Sequence, residues 1–356
     1  VSPSTHGVVD LDGYRPRGMR SVLLRTGWLR PYFERVERPL GLADHRPVLA
    51  GARRAFTVWE LAARGGPALA VGWWGNFPAA ATEVTGLVVA HGAYGWLAER
   101  AATDDPAAIV APPDEAARLW RGSRAALAGD PALTRFDDGV QRALPADEAA
   151  RVLDRALRPD RFYRWAFADA FARLRPRAAA LYLAAPDILA DRTTAALGST
   201  VQGAMIERHL RATDAMLGAL LAQDARAASD SLDGDGRPIG TVAIVVDPGR
   251  RADDAGATIG GRVLLWRRAG CRTPAAAIAP DATDRAGPAA VTLGSVAGLL
   301  LRDLGLPQSD AVAAPDGCAV PPPSLRVRTY GTRTPRAAAA PVDDAYLRQL
   351  RSLGYL

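Results

Sequence analysis

Short apolar runs alternating with helical stretches constrain the fold of this chain more than any other feature. Pro67–Trp74 (PALAVGWW) reads as a buried strand, Val84–Ala90 as a second, Ala178–Ala184 (AAALYLA) as a third and Thr241–Val246 as a fourth. Runs of this length, punctuated by Gly, suit strands covered on both faces. From Pro112 to Arg175 the pattern turns helical, with helices expected at Pro113–Ala128, Ala146–Leu157 and Arg161–Leu174. That block carries almost no strand signal and reads as a helical insertion or cap over residues 112–175. A long helix is expected over Ala196–Ala222, where Val201, Met205, Met216, Leu217, Leu220 and Leu221 recur at helical spacing. Strands alternating with helices argue for an α/β fold, a mostly parallel sheet with helices on both faces. Functional residues of such sheets gather in the loops beyond the carboxyl ends of the strands. This directs attention to Asp187 after the third strand and Asp247 after the fourth.

The rest of the chain is less regular. The first sixty residues are Arg-rich and irregular up to a short helix at Thr57–Ala63. Ser231–Gly240 is a turn-rich loop, and Arg262–Trp266 and Ala275–Ala279 are short apolar runs. Ser295 is placed to cap a helix that runs to Leu304 and stops at Gly305 and Pro307. Pro321–Pro323 reads as a linker, followed by a strand at Leu325–Thr329 and a helix at Asp343–Leu350.

Net charge is +6 and the pI is near 9.8, yet the chain contains no Lys, so all 44 basic residues are Arg. With abundant Ala and Pro, that reads as a bias towards GC-rich codons. The Arg residues are scattered and interleaved with Asp, whereas a nucleic-acid groove needs them clustered on one face. No nucleic-acid partner is expected. Cys271 and Cys318 stand far apart, outside any CxxC pattern; a bridge between them and two free thiols are both open. No apolar run reaches the ~18 residues of a membrane span.

Several phrases, in order, resemble the bacterial type I phosphodiesterase/nucleotide pyrophosphatase family of the alkaline phosphatase superfamily. Pro3–Val8 (PSTHGV) resembles the P-x-x-H-G-V/I turn after the family's nucleophile helix. Val71–Trp74 with Phe77–Ala79 is similar to its GWW-x-x-WPA segment, and Gly86–His91 to the strand after it. Leu181–Asp187 (LYLAAPD) resembles a strand ending in a metal-binding Asp, and Thr241–Gly249 (TVAIVVDPG) one ending in S-D-H-G. Ser295–Pro307 is similar to the DIAPT-L-L-x-x-x-GLP helix, and Tyr346–Leu356 to the LRSLGY tail. The resemblance implies an alkaline-phosphatase-like domain over 1–324, lacking its first strand and nucleophile helix, with a tail over 325–356. The sequence opens at Val1, after the point where the resemblance puts the nucleophile and the first metal-binding Asp, so both are expected before it. The sulfatase and phosphoglycerol-transferase branches share this fold.

In that family two zinc ions clamp a phosphate while a Thr or Ser attacks phosphorus in line. The ligands implied are an Asp on the first strand, D-x-x-x-H, D-H and a late His, a mixed set of imidazoles and carboxylates. Here D-x-x-x-H reads Asp187 to Asp191, with Asp in place of His. D-H reads Asp247-Pro248, and no His stands near Ala257 or Thr258. Ser295, Gly298 and Leu299 stand where the family helix has Asp, Pro and Thr. Asp187, Asp191 and Asp247 remain as candidate metal ligands, an all-oxygen set better suited to Mg²⁺, Mn²⁺ or Ca²⁺ than to zinc. The plain alternative is that they cap loops at strand ends. A degenerate member of the family, without catalytic residues or retained cofactor, is therefore expected. The alternative is an active metal-dependent phosphoester hydrolase completed by residues before Val1, whose partner would be a small phosphoester.

The other polar candidates have ordinary readings. His6 and His91 read as turn and loop residues, and His209, beside Glu207 and Arg211, as part of a solvated helix face. Trp73 and Trp74 read as packing beside the sheet rather than stacking on a base. Ser4 and Thr5 have no adjacent base. The acids of Asp233–Asp235 and Asp253-Asp254 lack the pattern of a calcium loop.

Overall fold

The computed structural model describes residues 12–16, 23–24, 35–36, 39–47, 50, 53, 55–73, 75–99, 106–128, 131–192, 194–229, 241–246, 262–268, 293–310 and 325–333. The chain divides into two compact units, Ser2–Met216 with Thr332–Leu356, and Leu217–Gly331.

The first unit contains a four-stranded sheet. Strand β4 (Ala68–Val71) lies between β5 (Gly86–Val89) and β7 (Ala178–Leu181), parallel to both, and β6 (Val110–Ala111) adds an antiparallel edge to β5. The mixed α/β class and mostly parallel sheet expected from the apolar runs are therefore present. Every residue of β4 is fully buried, which explains why that strand reads as an uninterrupted apolar run. Register pairs Ala68 with Gly86 and Ala178, and Val71 with Val89 and Leu181. The three parallel strands thus end level with one another. Gly86 (φ 133°) admits this approach, since a Cβ there would sit 2.1 Å from Ala68 O.

Before this sheet, β1 (Asp12–Pro16) pairs antiparallel with β2 (Leu23–Leu24) and β3 (Ala43–Pro47). The sequence there (DGYRP and ADHRP) has no apolar alternation, so pairing rather than pattern defines these strands. Helix α1 (Val58–Ala62) begins with a complete capping box between Thr57 and Glu60. Helix α2 (Ala93–Glu99) follows β5.

The helical block contains α3 (Glu115–Ala128), α4 (Pro131–Ala143), α5 (Ala146–Val152) and α6 (Arg158–Leu174). Leu153–Leu157 wind as a π-helix that joins α5 to α6, whose second residue, Pro159, has no N–H to donate. Helix α4 is additional to the expected set; Phe136 and Val140 recur on the face it packs inward, and Leu144 just beyond its end joins them. Helices α1 and α6 both pack on β4 and β7.

After β7 the chain enters α7 (Ala185–Arg192) and then α8 (Thr194–Ser229). Asp187 thus lies in the first turn of a helix rather than in a loop. Val140, Leu144, Val152, Leu153, Leu157, Ile188, Leu189 and Met205 form one apolar cluster, so the helical block, α7 and α8 share a core.

In the second unit, β8 (Thr241–Val246) has the expected bounds but pairs antiparallel with β9 (Arg262–Arg268). Helix α9 (Leu293–Asp303) starts two residues before Ser295, and Gly305 (φ 65°) supplies the left-handed turn that ends it. Strands β10 (Gln308–Ser309) and β11 (Arg326–Val327) pair in parallel. Ala275–Ala279, Cys271, Cys318 and Asp343–Leu350 lie outside the described residues. Among the described residues no helix is long and apolar enough to cross a membrane.

Among the described residues Glu60, 2% exposed, is a heavily bonded buried charge. Its carboxylate accepts two hydrogen bonds from Arg53, at 2.8 and 3.2 Å, and others from Thr57 N, Thr57 Oγ1 and Glu83 N. Burial pushes this carboxyl up, but Arg53, the Thr57 backbone and Arg333 outweigh it and hold it below the ordinary range. Removing one partner of such a buried pair leaves the other uncompensated. Glu60→Ala is therefore expected to cost about 3–5 kcal/mol in denaturant unfolding. The folded carboxyl is depressed, so its contribution is present above the unfolded value and is lost as pH falls through the folded one. Acid titration of the wild type should show this loss and Glu60→Ala should not.

Candidate functional site at the carboxyl edge of the sheet

Each parallel strand runs straight into an aromatic or imidazole side chain. β4 passes through Gly72 to Trp73, β5 through Ala90 to His91, and β7 directly into Tyr182. Because the strands end level, these side chains meet. Ring centroids are 5.8 Å apart for Trp73 and Tyr182, 6.2 Å for His91 and Tyr182, and 6.4 Å for His91 and Tyr163 of α6. Trp59 of α1 extends the group, 4.9 Å from Trp73. Gly72 (φ 74°) makes the turn possible, since a Cβ there would lie 2.6 Å from Tyr182 O. Trp73 packs beside the sheet as expected, while Trp74 lies outside the described residues.

His91 and Tyr163 at this edge bond to the backbone, whereas Trp59 Nε1 and Trp73 Nε1 are buried without a hydrogen-bond partner. His91 Nδ1 lies 3.1 Å from Gly72 O, a carbonyl that can only accept, so Nδ1 carries the proton. Burial lowers the His91 pKa from 6.5 to about 4, partly offset by that bond, so the ring is neutral at pH 7. The Tyr163 hydroxyl accepts from Gly92 N at 2.8 Å at the start of α2, and burial raises its pKa.

Asp160 of α6 is 1% exposed. Its oxygens accept from Ala184 N at 3.1 Å and Ala185 N at 2.9 Å, which caps the start of α7 from a different helix. His209 of α8 places Nε2 3.2 Å from Asp160 Oδ2 without hydrogen-bond alignment. Arg164 reaches the His209 carbonyl and Thr213 Oγ1 at 3.2 and 3.3 Å.

This corrects the reading of His209 as part of a solvated face: it is 4% exposed. The charged Glu207 and Arg211 pair with each other on the exposed side, while His209 continues the inward row of Met205. Asp160 was not among the sequence candidates. Its signal was positional, a carboxylate in the same helical row as Tyr163 and Phe167.

Of the candidate ligands, Asp187 and Asp191 lie one turn apart on α7, with side chains outside the described part, and Asp247 lies outside the described residues altogether. An acid in the first turn of a helix behind Pro186 favours the helix dipole, which supplies an ordinary role for Asp187. Among the described residues, no group of three or more His, Cys, Asp and Glu gathers as a metal site. Asp187, Asp191 and Asp247 offer only oxygen donors and Pro248 none, whereas zinc sites typically mix in imidazole or thiolate. His6 lies outside the described residues, as does the side chain of His45.

The His91 ring gives a prediction with a sign. Its folded pKa near 4 lies below the unfolded value of 6.5, so between these the unfolded chain binds the proton first. Stability should fall as pH drops from about 6.5 to 4, by about 3 kcal/mol from this group. Denaturant unfolding at pH 7, 5 and 4 should show that slope, and it should flatten in His91→Asn. Asp160→Ala, which strands two buried N–H groups, should cost about 3 kcal/mol at pH 7 by the same measurement.

Set against known proteins, the chain matches no family model, no curated protein and no solved structure.

Proposed function

We propose that this chain is a phosphodiesterase/nucleotide pyrophosphatase-like member of the alkaline phosphatase superfamily whose metal chemistry has degenerated, leaving an alkaline-phosphatase-like scaffold. The observation that carries the reading is the substitution pattern at the ligand motifs: phrases such as LYLAAPD and TVAIVVDPG remain recognisable, while Asp191 and Pro248 occupy the imidazole positions. Loss at separate points of one ligand set, with the surrounding phrases kept, is what relaxed demand on the metal alone would leave. The proposal is supported further by where the phrases fall. GWW, GLVVAH and LYLAAPD each accompany one parallel strand, and all three lead to the same edge. Three polar groups there serve structure: Asp160 holds α7, Tyr163 holds α2, and His91 holds the Gly72 turn.

The chain's role under this proposal is binding or scaffolding rather than phosphoester hydrolysis. The test is hydrolysis of bis(p-nitrophenyl) phosphate with zinc or manganese, using the protein together with whatever residues its gene places before Val1. No metal-dependent rate above the metal-only blank is expected. Metal-dependent turnover abolished by Asp187→Ala or Asp247→Ala would instead identify a working hydrolase with an oxygen-rich site.

A further inference from the structure

Arg333 is 1% exposed although it comes from the far end of the chain. Its Nη1 donates to Ala50 O at 2.6 Å and reaches Arg53 O at 3.5 Å, its Nη2 donates to Ala81 O, and its Nε lies 3.3 Å from Glu60 Oε1. These acceptors lie 252 to 283 residues earlier in sequence, on either side of α1 and β4. Ala50 N in turn donates to Phe77 O at 2.6 Å, so the socket also joins the segments around Ala50 and Ala81.

The arrangement is specific for a guanidinium ion. Carbonyls on different segments and one carboxylate edge converge on a planar fork with five donors; an ammonium, a compact point charge, cannot span them. The charge count agrees. Glu60 already holds Arg53 through two bonds, so Arg333 enters as a second cation against one carboxylate, and the carbonyl dipoles carry the excess. Without a cation, Ala50 O would keep only the Arg53 N–H, at 3.3 Å, and the Ala81 carbonyl would lose the guanidinium.

We propose that Ala50, Arg53, Glu60 and Ala81 form a guanidinium socket, and that Arg333 fills it as a latch securing the start of the C-terminal segment to the N-terminal unit. Arg333→Ala leaves the socket intact but empty, so a small guanidinium ion should bind it and stabilise the variant by mass action.

The experiment is thermal unfolding of full-length wild type and Arg333→Ala, with and without methylguanidinium far below denaturing concentrations, and methylammonium as the control cation. The variant should melt lower by on the order of 10 °C. Methylguanidinium should recover part of that loss in the variant alone, and methylammonium none. Arg333→Lys should resemble Arg333→Ala. If Arg333→Ala is insoluble, expression and purification in methylguanidinium should restore soluble protein. Wild-type stability of Arg333→Ala, equal effects of the two cations, or failure of methylguanidinium to rescue either stability or solubility would overturn the latch.

Discussion

The buried carboxylate of Asp160 fixes the part of this protein where function was expected. By accepting the N–H groups of Ala184 and Ala185, it determines where β7 stops and α7 starts. The same carboxylate lies 3.2 Å from His209 Nε2, so the helical block, the helix after the third parallel strand and the long α8 meet at Asp160. A helix start needs acceptors for its first N–H groups. Here the acceptor comes from α6 rather than the local chain. The helical block is consequently part of the sheet's carboxyl edge, where its Tyr163 packs against His91.

A chemical pattern follows from that arrangement. An active edge of a parallel sheet keeps polar groups exposed to a substrate. In this protein His91, Tyr163 and Asp160 point into hydrogen bonds of the fold. His91 is neutral because burial outweighs its bond to Gly72, and Tyr163 is kept protonated by burial at a helix start. Groups of this kind commonly serve as acids and bases when open to a ligand. With backbone partners they define turns. The proposed loss of metal chemistry and the structural use of these side chains are two aspects of one reading.

Much of the sheet was legible in the sequence because its strands are buried on both faces. PALAVGWW, the stretch around GLVVA, and AAALYLA each contain a strand, and the alternation with helices implied their parallel pairing. The three-stranded sheet of β1, β2 and β3 was not legible, since backbone pairing forms it without an apolar pattern. Thr241–Val246 showed its bounds but not its partner: an apolar run specifies burial, whereas the antiparallel pairing with β9 depends on a distant segment. At the candidate site the sequence pointed to strand ends but favoured acids close to them. Asp160 and His209 escaped because a lone polar residue on a helix appears solvated until the opposite face is known. Glu60 is the counterexample, since Thr57 and Glu60 stand in a capping-box spacing that can be read directly.

The central claim is that this chain has kept a scaffold and lost the donor set for a metal pair. Metal content tests it most directly. The purified protein would be loaded with zinc or manganese, desalted, and its bound metal counted by elemental analysis, alongside variants at Asp187, Asp191 and Asp247. The account predicts no retained metal above that of the variants. Retention approaching about two ions per chain, as a two-metal phosphoester site requires, and lost on mutating those aspartates, would contradict it.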